Sequence, residues 1–232
     1  MIRAVLFDFN GLLVDDESVH FDLFREVLAE VGVPLLEATY RERYLGFDDR
    51  GCFEAALRDS GRRAVPDLVD DLIARKARRY FEAARKGLRF FPGAAESVEA
   101  LATRWPLAIC SGALRGEIEL ALHLLGVRAR IGAIIAAEDT QRCKPDPEGY
   151  LLALDALRSR VGEDLEAAHC LAIEDSLAGI EAVKAAGMWA VGIAHTYPED
   201  QLRDAGADAI LPDLCPLNPE WVDRFFHPEI TP

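Results

Sequence analysis

A chain of 232 residues and 25.6 kDa is long enough to bury a sizeable core. Half of its residues are hydrophobic and 28% are charged, an ordinary globular composition that excludes low-complexity and fibrous classes. With 26 basic against 40 acidic residues the formal net charge is -14, so repulsion opposes binding to a nucleic-acid backbone or an anionic membrane surface. Cys52, Cys110, Cys143, Cys170 and Cys215 make none of the close pairs that metal sites or redox dithiols use, and they read as free thiols. No apolar run reaches the roughly 20 residues of a membrane span. The first apolar run is too short, and too soon ended by Asp8, for a signal peptide. A cytoplasmic protein is expected, and the sequence leaves its oligomeric state open.

Ile2 to Phe7 is continuously apolar and bounded by the turn residues Asp8-Phe9-Asn10-Gly11, the pattern of a strand buried on both faces. From Asp16 to about Lys86 no strand-like run occurs. Helical periodicity replaces it, first at Phe21, Phe24, Val27, Leu28 and Val31, then around Phe53 to Leu57 and Leu68 to Phe81. After Phe90-Phe91-Pro92-Gly93 the strand pattern returns at Leu107 to Cys110, Ala133 to Ala137, Cys170 to Ile173 and Ala190 to Ile193. Helical segments at Ala94 to Thr103, Gly116 to Leu125, Glu148 to Leu157 and Ala178 to Ala186 separate these runs, and strand alternating with helix predicts a doubly wound parallel sheet. The expected division is an α/β core from residues 1–15 and 88–232, with a helical domain inserted at 16–87.

In such a sheet the ligand crevice lies beyond the carboxyl ends of the strands. Asp8, Ser111-Gly112 and Glu174-Asp175 stand at predicted strand ends, and Lys144-Pro145 follows the third strand. Three carboxylates, a hydroxyl and an ammonium converging there suit a metal and a phosphate. Mg²⁺ prefers carboxylate and phosphate oxygens. Lys144 is placed to neutralise a transferring phosphoryl group, Ser111 and nearby N–H groups to hold its oxygens, and Asp8 to act as a nucleophile through an aspartyl-phosphate.

Asp8-Phe9-Asn10-Gly11-Leu12-Leu13-Val14-Asp15, Ser111, Lys144-Pro145 and Glu174-Asp175-Ser176-Leu177-Ala178-Gly179-Ile180 resemble, in order and separation, the four motifs of the haloacid dehalogenase-like superfamily. The insert resembles the helical cap of its phosphatase and β-phosphoglucomutase branch. The resemblance implies a Rossmann-like core and a Mg²⁺-dependent phosphatase or phosphotransferase acting on a small phosphorylated metabolite. Asp8 would be nucleophile and metal ligand. Asn10 would ligate through its backbone carbonyl, Ser111 and Lys144 would bind phosphate, and Glu174 and Asp175 would complete the metal site. His20 lies where β-phosphoglucomutase has a histidine between core and cap. Leu45-Gly46-Phe47-Asp48-Asp49-Arg50 resembles a substrate-closing loop, which makes Gly46, Arg50 and Gly112 substrate-binding candidates.

One position departs from the family pattern: Asn10 stands where the phosphatases and mutases carry a second Asp for proton transfer. An amide does not titrate in the useful range, and general acid–base help is worth about 10² to 10⁴ in rate. Three accounts compete. Asp15, Asp16, Glu17 or His20 replaces the missing acid–base; a cap lysine, Lys76 or Lys86, supports Schiff-base phosphonate cleavage; or the chain is a low-turnover binder of a phosphorylated ligand. Asp15, Asp16 and Glu17 also read as the acidic first turn of the opening helix of the insert. A hexose-phosphate mutase is the alternative enzyme, and metal-free dehalogenation sits poorly with Glu174-Asp175.

Overall fold

The computed structural model describes residues 1–226; residues 227–232, the last of the range assigned to the core, lie outside it. Within it, strands β1 (Ala4–Phe7), β2 (Leu107–Cys110), β3 (Ile131–Ile135), β4 (Cys170–Glu174), β5 (Trp189–Ile193) and β6 (Ala209–Leu211) form a sheet in the order β3-β2-β1-β4-β5-β6. Every neighbouring pair is parallel. Helices cover both faces, because alternate strand residues point opposite ways. Val5, Phe7, Ile109 and Ile173 pack with α5 (Ala94–Ala102), α6 (Arg115–Leu125) and α10 (Pro219–Phe226). Leu6, Ala108 and Ala172 pack instead with α7 (Glu148–Val161), α8 (Leu177–Ala185) and α9 (Glu199–Asp204). The chain order reverses between β1 and β4, so the crevice belongs at their carboxyl ends.

Four helices lie between β1 and α5: α1 (Glu17–Glu30), α2 (Glu37–Arg43), α3 (Asp49–Asp59) and α4 (Pro66–Lys86). They enclose a second apolar cluster in which Phe24, Leu28, Phe53, Leu57 and Leu72 are buried. Pro66 opens α4, where its missing N–H has no helical partner to lose. The two linkers to the sheet run side by side. Asp15 N donates to Arg89 O at 2.9 Å and Phe91 N to Leu13 O at 3.1 Å.

The third strand begins and ends two residues earlier than the sequence suggests, Ile131–Ile135 against Ala133 to Ala137. Gly132 sits at a register shift against β2, where a Cβ would lie 3.2 Å from Leu107 O. At the other end Ala136 N turns out of the ladder to the Asp139 carboxylate at 2.8 Å. The sequence reading names no element at α2, α9, β6 or α10, each of eight residues or fewer.

Candidate active site

β1 delivers Asp8 and β4 delivers Glu174 and Asp175, all three nearly or fully buried. One carboxylate oxygen from each can be chosen such that all lie within 4.8 Å of one another. Two glycines make the room. A Cβ at Gly11, which has φ +77°, would stand 2.4 Å from Asp175 Oδ2, and a Cβ at Gly179 would overlap the Glu174 carboxylate at 2.0 Å. Glu174 is held by the Tyr150 hydroxyl at 2.6 Å and the Ser176 hydroxyl at 3.1 Å, and the Thr196 hydroxyl donates to Asp175. Ser176, rather than either acidic residue, caps α8 by accepting from Gly179 N at 3.0 Å.

Lys144 Nζ bridges this cluster, donating to Asp8 Oδ1 and to Glu174 Oε1, each at 2.5 Å. Burial pushes the Asp8 carboxyl up to about 7, Lys144 opposing and Glu174 adding to the push. Burial, with the charges of Asp8 and Glu174, raises Asp175 well above the carboxylate range. Burial alone would lower Lys144, but the Asp8 and Glu174 charges outweigh it and raise it. Three buried carboxyl groups share one ammonium, and these all-oxygen donors fit a hard divalent cation.

Asp8, Ser111, Gly112 and Lys144 line one cavity of 460 Å³, the size of a small-metabolite site, with Asn10, His20, Gly46 and Asp175. Glu174 lies behind the wall, fully buried. The Ser111 hydroxyl accepts from Ala113 N at 3.1 Å, which tightens the turn after β2. α3 closes the cavity from the other side: Asp48 caps it by accepting from Gly51 N at 2.7 Å and also accepts from the Cys143 thiol at 3.0 Å. Gly112 faces Asp48 so closely that an added Cβ would touch it at 3.4 Å.

Arg50 is not brought to the cavity. It points outward, half exposed, and pairs with Asp70 at 2.5 Å, because the first turn of α3 presents Asp48 and Asp49 to the core side. The acidic first turn of α1 also splits in role. Glu17 accepts from the Tyr40 hydroxyl at 2.6 Å, and Asp15 pairs with Arg89 at 2.5 Å. Asp16, fully buried at the N-cap position, makes no capping bond. It accepts instead from Asn10 Nδ2 at 3.0 and 3.1 Å and from the Tyr80 hydroxyl at 2.6 Å, with His20 Nε2 at 3.2 Å. Burial would raise Asp16, but His20, Tyr80 and Asn10 together hold it below the ordinary carboxylate value. Burial and Lys76 would lower His20, but Asp16 raises it overall.

Lys76 is fully buried and donates to Asp49 at 2.5 Å; the carboxylates around it keep it protonated against the cost of burial. It is therefore not the free amine that Schiff-base chemistry needs, and Lys86 is exposed at the end of α4. Sequence reading missed Tyr150, Thr196, Tyr80 and Glu117. Each is remote from a motif or carries no pattern of its own, and only the fold brings it to the cavity wall or behind it.

A family model for haloacid dehalogenase-like hydrolases matches residues 2–187, and all four motifs fall inside that span. The chain belongs to the haloacid dehalogenase-like hydrolases. Within this family it sits with the phosphatases and β-phosphoglucomutases. It is 32% identical to a validoxylamine A 7'-phosphate phosphatase of Streptomyces hygroscopicus subsp. limoneus, over 92% of this chain and 95% of that one. Among solved structures it superposes on a β-phosphoglucomutase from Clostridium difficile with a TM-score of 0.84, at 20% identity and 99% coverage of both chains. A mutant of CbbY from Rhodobacter sphaeroides, crystallised with xylulose-(1,5)bisphosphate, gives a TM-score of 0.80 at 28% identity, covering 93% of this chain and 96% of that one.

Proposed function

We propose that the protein is a Mg²⁺-dependent phosphatase of a small phosphorylated metabolite, working through an aspartyl-phosphate at Asp8. The observation that carries this reading is the meeting of Asp8, Lys144 and Asp175 on one cavity of 460 Å³ at the switch point of the sheet, with Glu174 behind its wall and bound to Lys144. The phosphatase name of the Streptomyces relative supports it. Asp8, Glu174 and Asp175, with the backbone carbonyl of Asn10, would hold Mg²⁺, which supplies charge neutralisation for the phosphoryl oxygens when bound. Asp8 attacks the phosphorus, the ester bond breaks, and Lys144, Ser111 and the N–H groups of the turn after β2 hold the oxygens in place. Residues 16–87 form a cap whose closure excludes water.

Asn10 cannot move the proton that the leaving oxygen needs. The titratable groups touching its amide are Asp16 and His20. In this reading Asp16 stays ionised and holds His20 as the proton donor, which then draws a proton from water in the hydrolysis of the aspartyl-phosphate. The test is Mg²⁺-dependent phosphate release from a panel of sugar monophosphates. His20→Asn and Asp16→Asn are expected to lower kcat by about 10² to 10⁴, while Asn10→Asp changes it by less than about tenfold. A hundredfold gain in Asn10→Asp, with His20→Asn unaffected, would contradict the assignment. Interconversion of sugar phosphates without free phosphate would make the enzyme a mutase.

A further inference from the structure

Glu117 has no role in the chemistry above, yet it is among the most thoroughly buried charged groups of the chain. It projects from the first turn of α6 into the seam between cap and core, is 1% exposed, and lines the cavity. Its Oε1 has no hydrogen-bond partner among the described residues, and neither has Oδ2 of Asp49 on the facing helix α3. A buried acceptor left unmade costs stability, so a group kept in that state is a candidate for a ligand's donor.

The charges around the seam have one sign in excess. Asp16, Glu17, Asp48, Asp49 and Glu117 carry acid to the cavity wall. Against them stand Lys76 and His20, already engaged with Asp49 and Asp16. The two arginines on the lining sit at its exposed rim, where Arg41 pairs with Glu37 and Arg142 with Asp146, each at 2.9 Å. Burial pushes the Glu117 carboxyl up to about 7, with Asp49 and Asp16 adding and Lys76 and His20 opposing, as expected where negative charge is under-compensated. Among the described residues, the buried end of this wall holds no cation beyond Lys76 and His20 to receive a second phosphate or a carboxylate.

We propose that this seam is a subsite for a protonated amine, so that the preferred substrate is a polyhydroxylated monophosphate bearing an amino group. The proposal rests on the phosphatase reading above and narrows its substrate class. An ammonium offers three donors to the unpartnered oxygens of this wall, and its charge-assisted bonds are stronger than those of a hydroxyl. A bisphosphate or a phosphorylated sugar acid would set its second anion against unpartnered carboxylate oxygens.

The experiment is calorimetric binding to the full chain with Mg²⁺ present, using inorganic phosphate, glucosamine 6-phosphate and glucosamine 1-phosphate, their amine-free glucose parents, and 6-phosphogluconate. At least one amine-bearing ester is expected to bind roughly tenfold or more tightly than its parent, and 6-phosphogluconate more weakly than glucose 6-phosphate. Glu117→Gln, which keeps size and shape, is expected to shrink the amine preference severalfold, and Asp49→Asn to do the same should Glu117→Gln fail to fold. Equal binding of both amines and their parents, or tighter binding of 6-phosphogluconate, would overturn the subsite. Failure of inorganic phosphate to bind at all would instead count against the phosphatase reading.

Discussion

At the scale of single residues, the site depends as much on what is missing as on what is present. Asp175 occupies space that a side chain at position 11 would take, and Gly11 has φ +77°, a backbone conformation that L side chains avoid. Gly11→Ala therefore has two costs: strain of about 1 kcal/mol in the backbone, and displacement of a carboxylate that the proposed function assigns to Mg²⁺. Mg²⁺ affinity measured by calorimetry is expected to fall more than about tenfold, the ratio equivalent to 1.4 kcal/mol, with the circular dichroism spectrum retained. Unchanged affinity would show that Asp175 is not a ligand. The motif residues Asp8, Ser111, Lys144, Glu174 and Asp175 were legible in the sequence because strand ends in a parallel sheet converge. Arg50 was not, because which side of a helix's first turn faces the crevice depends on packing, and here Asp48 and Asp49 take that side.

Between elements, the seam joining α1, α3, α4 and α6 is held by buried charge. Lys76 of α4 binds Asp49 of α3, Tyr80 of α4 binds Asp16 ahead of α1, and Glu117 of α6 turns to this seam an Oε1 with no hydrogen-bond partner among the described residues. Glu117 has a folded-state pKa raised from 4.5 to about 7, so the native protein holds an extra proton between those values. Stability from this group is present below about pH 4.5 and lost as pH rises toward 7. Glu117→Gln is expected to melt several degrees above the parent chain at pH 8, the gap closing toward pH 4; a lower melting temperature at pH 8 would mean that the carboxylate has a stabilising partner. None of this pairing was visible in sequence. Helical periodicity disclosed the insert through Phe24, Leu28, Phe53 and Leu57, but a polar residue buried between two helices interrupts no apolar pattern. The edge strand β6 escaped for a related reason, being three residues long and closed by Pro212.

For the whole molecule, a six-stranded sheet sets Asp8, Glu174 and Asp175 at the carboxyl ends of β1 and β4, and Lys144 reaches them from the loop before α7. The helical insert, tied by two adjacent linkers, covers them. In the proposed reaction this division would separate phosphoryl chemistry, set by strand ends, from selection of the ester's body, set by the helices. All of it turns on Asp8 accepting a phosphoryl group. The most direct measurement is peptide mass spectrometry after acid quench of the protein mixed with Mg²⁺ and the monophosphate it hydrolyses fastest. The account predicts one added phosphoryl group on the peptide holding Asp8, absent when Mg²⁺ is chelated and absent in Asp8→Asn, which also loses phosphate release. Phosphate release that survives Asp8→Asn, with no adduct on that peptide, would contradict it.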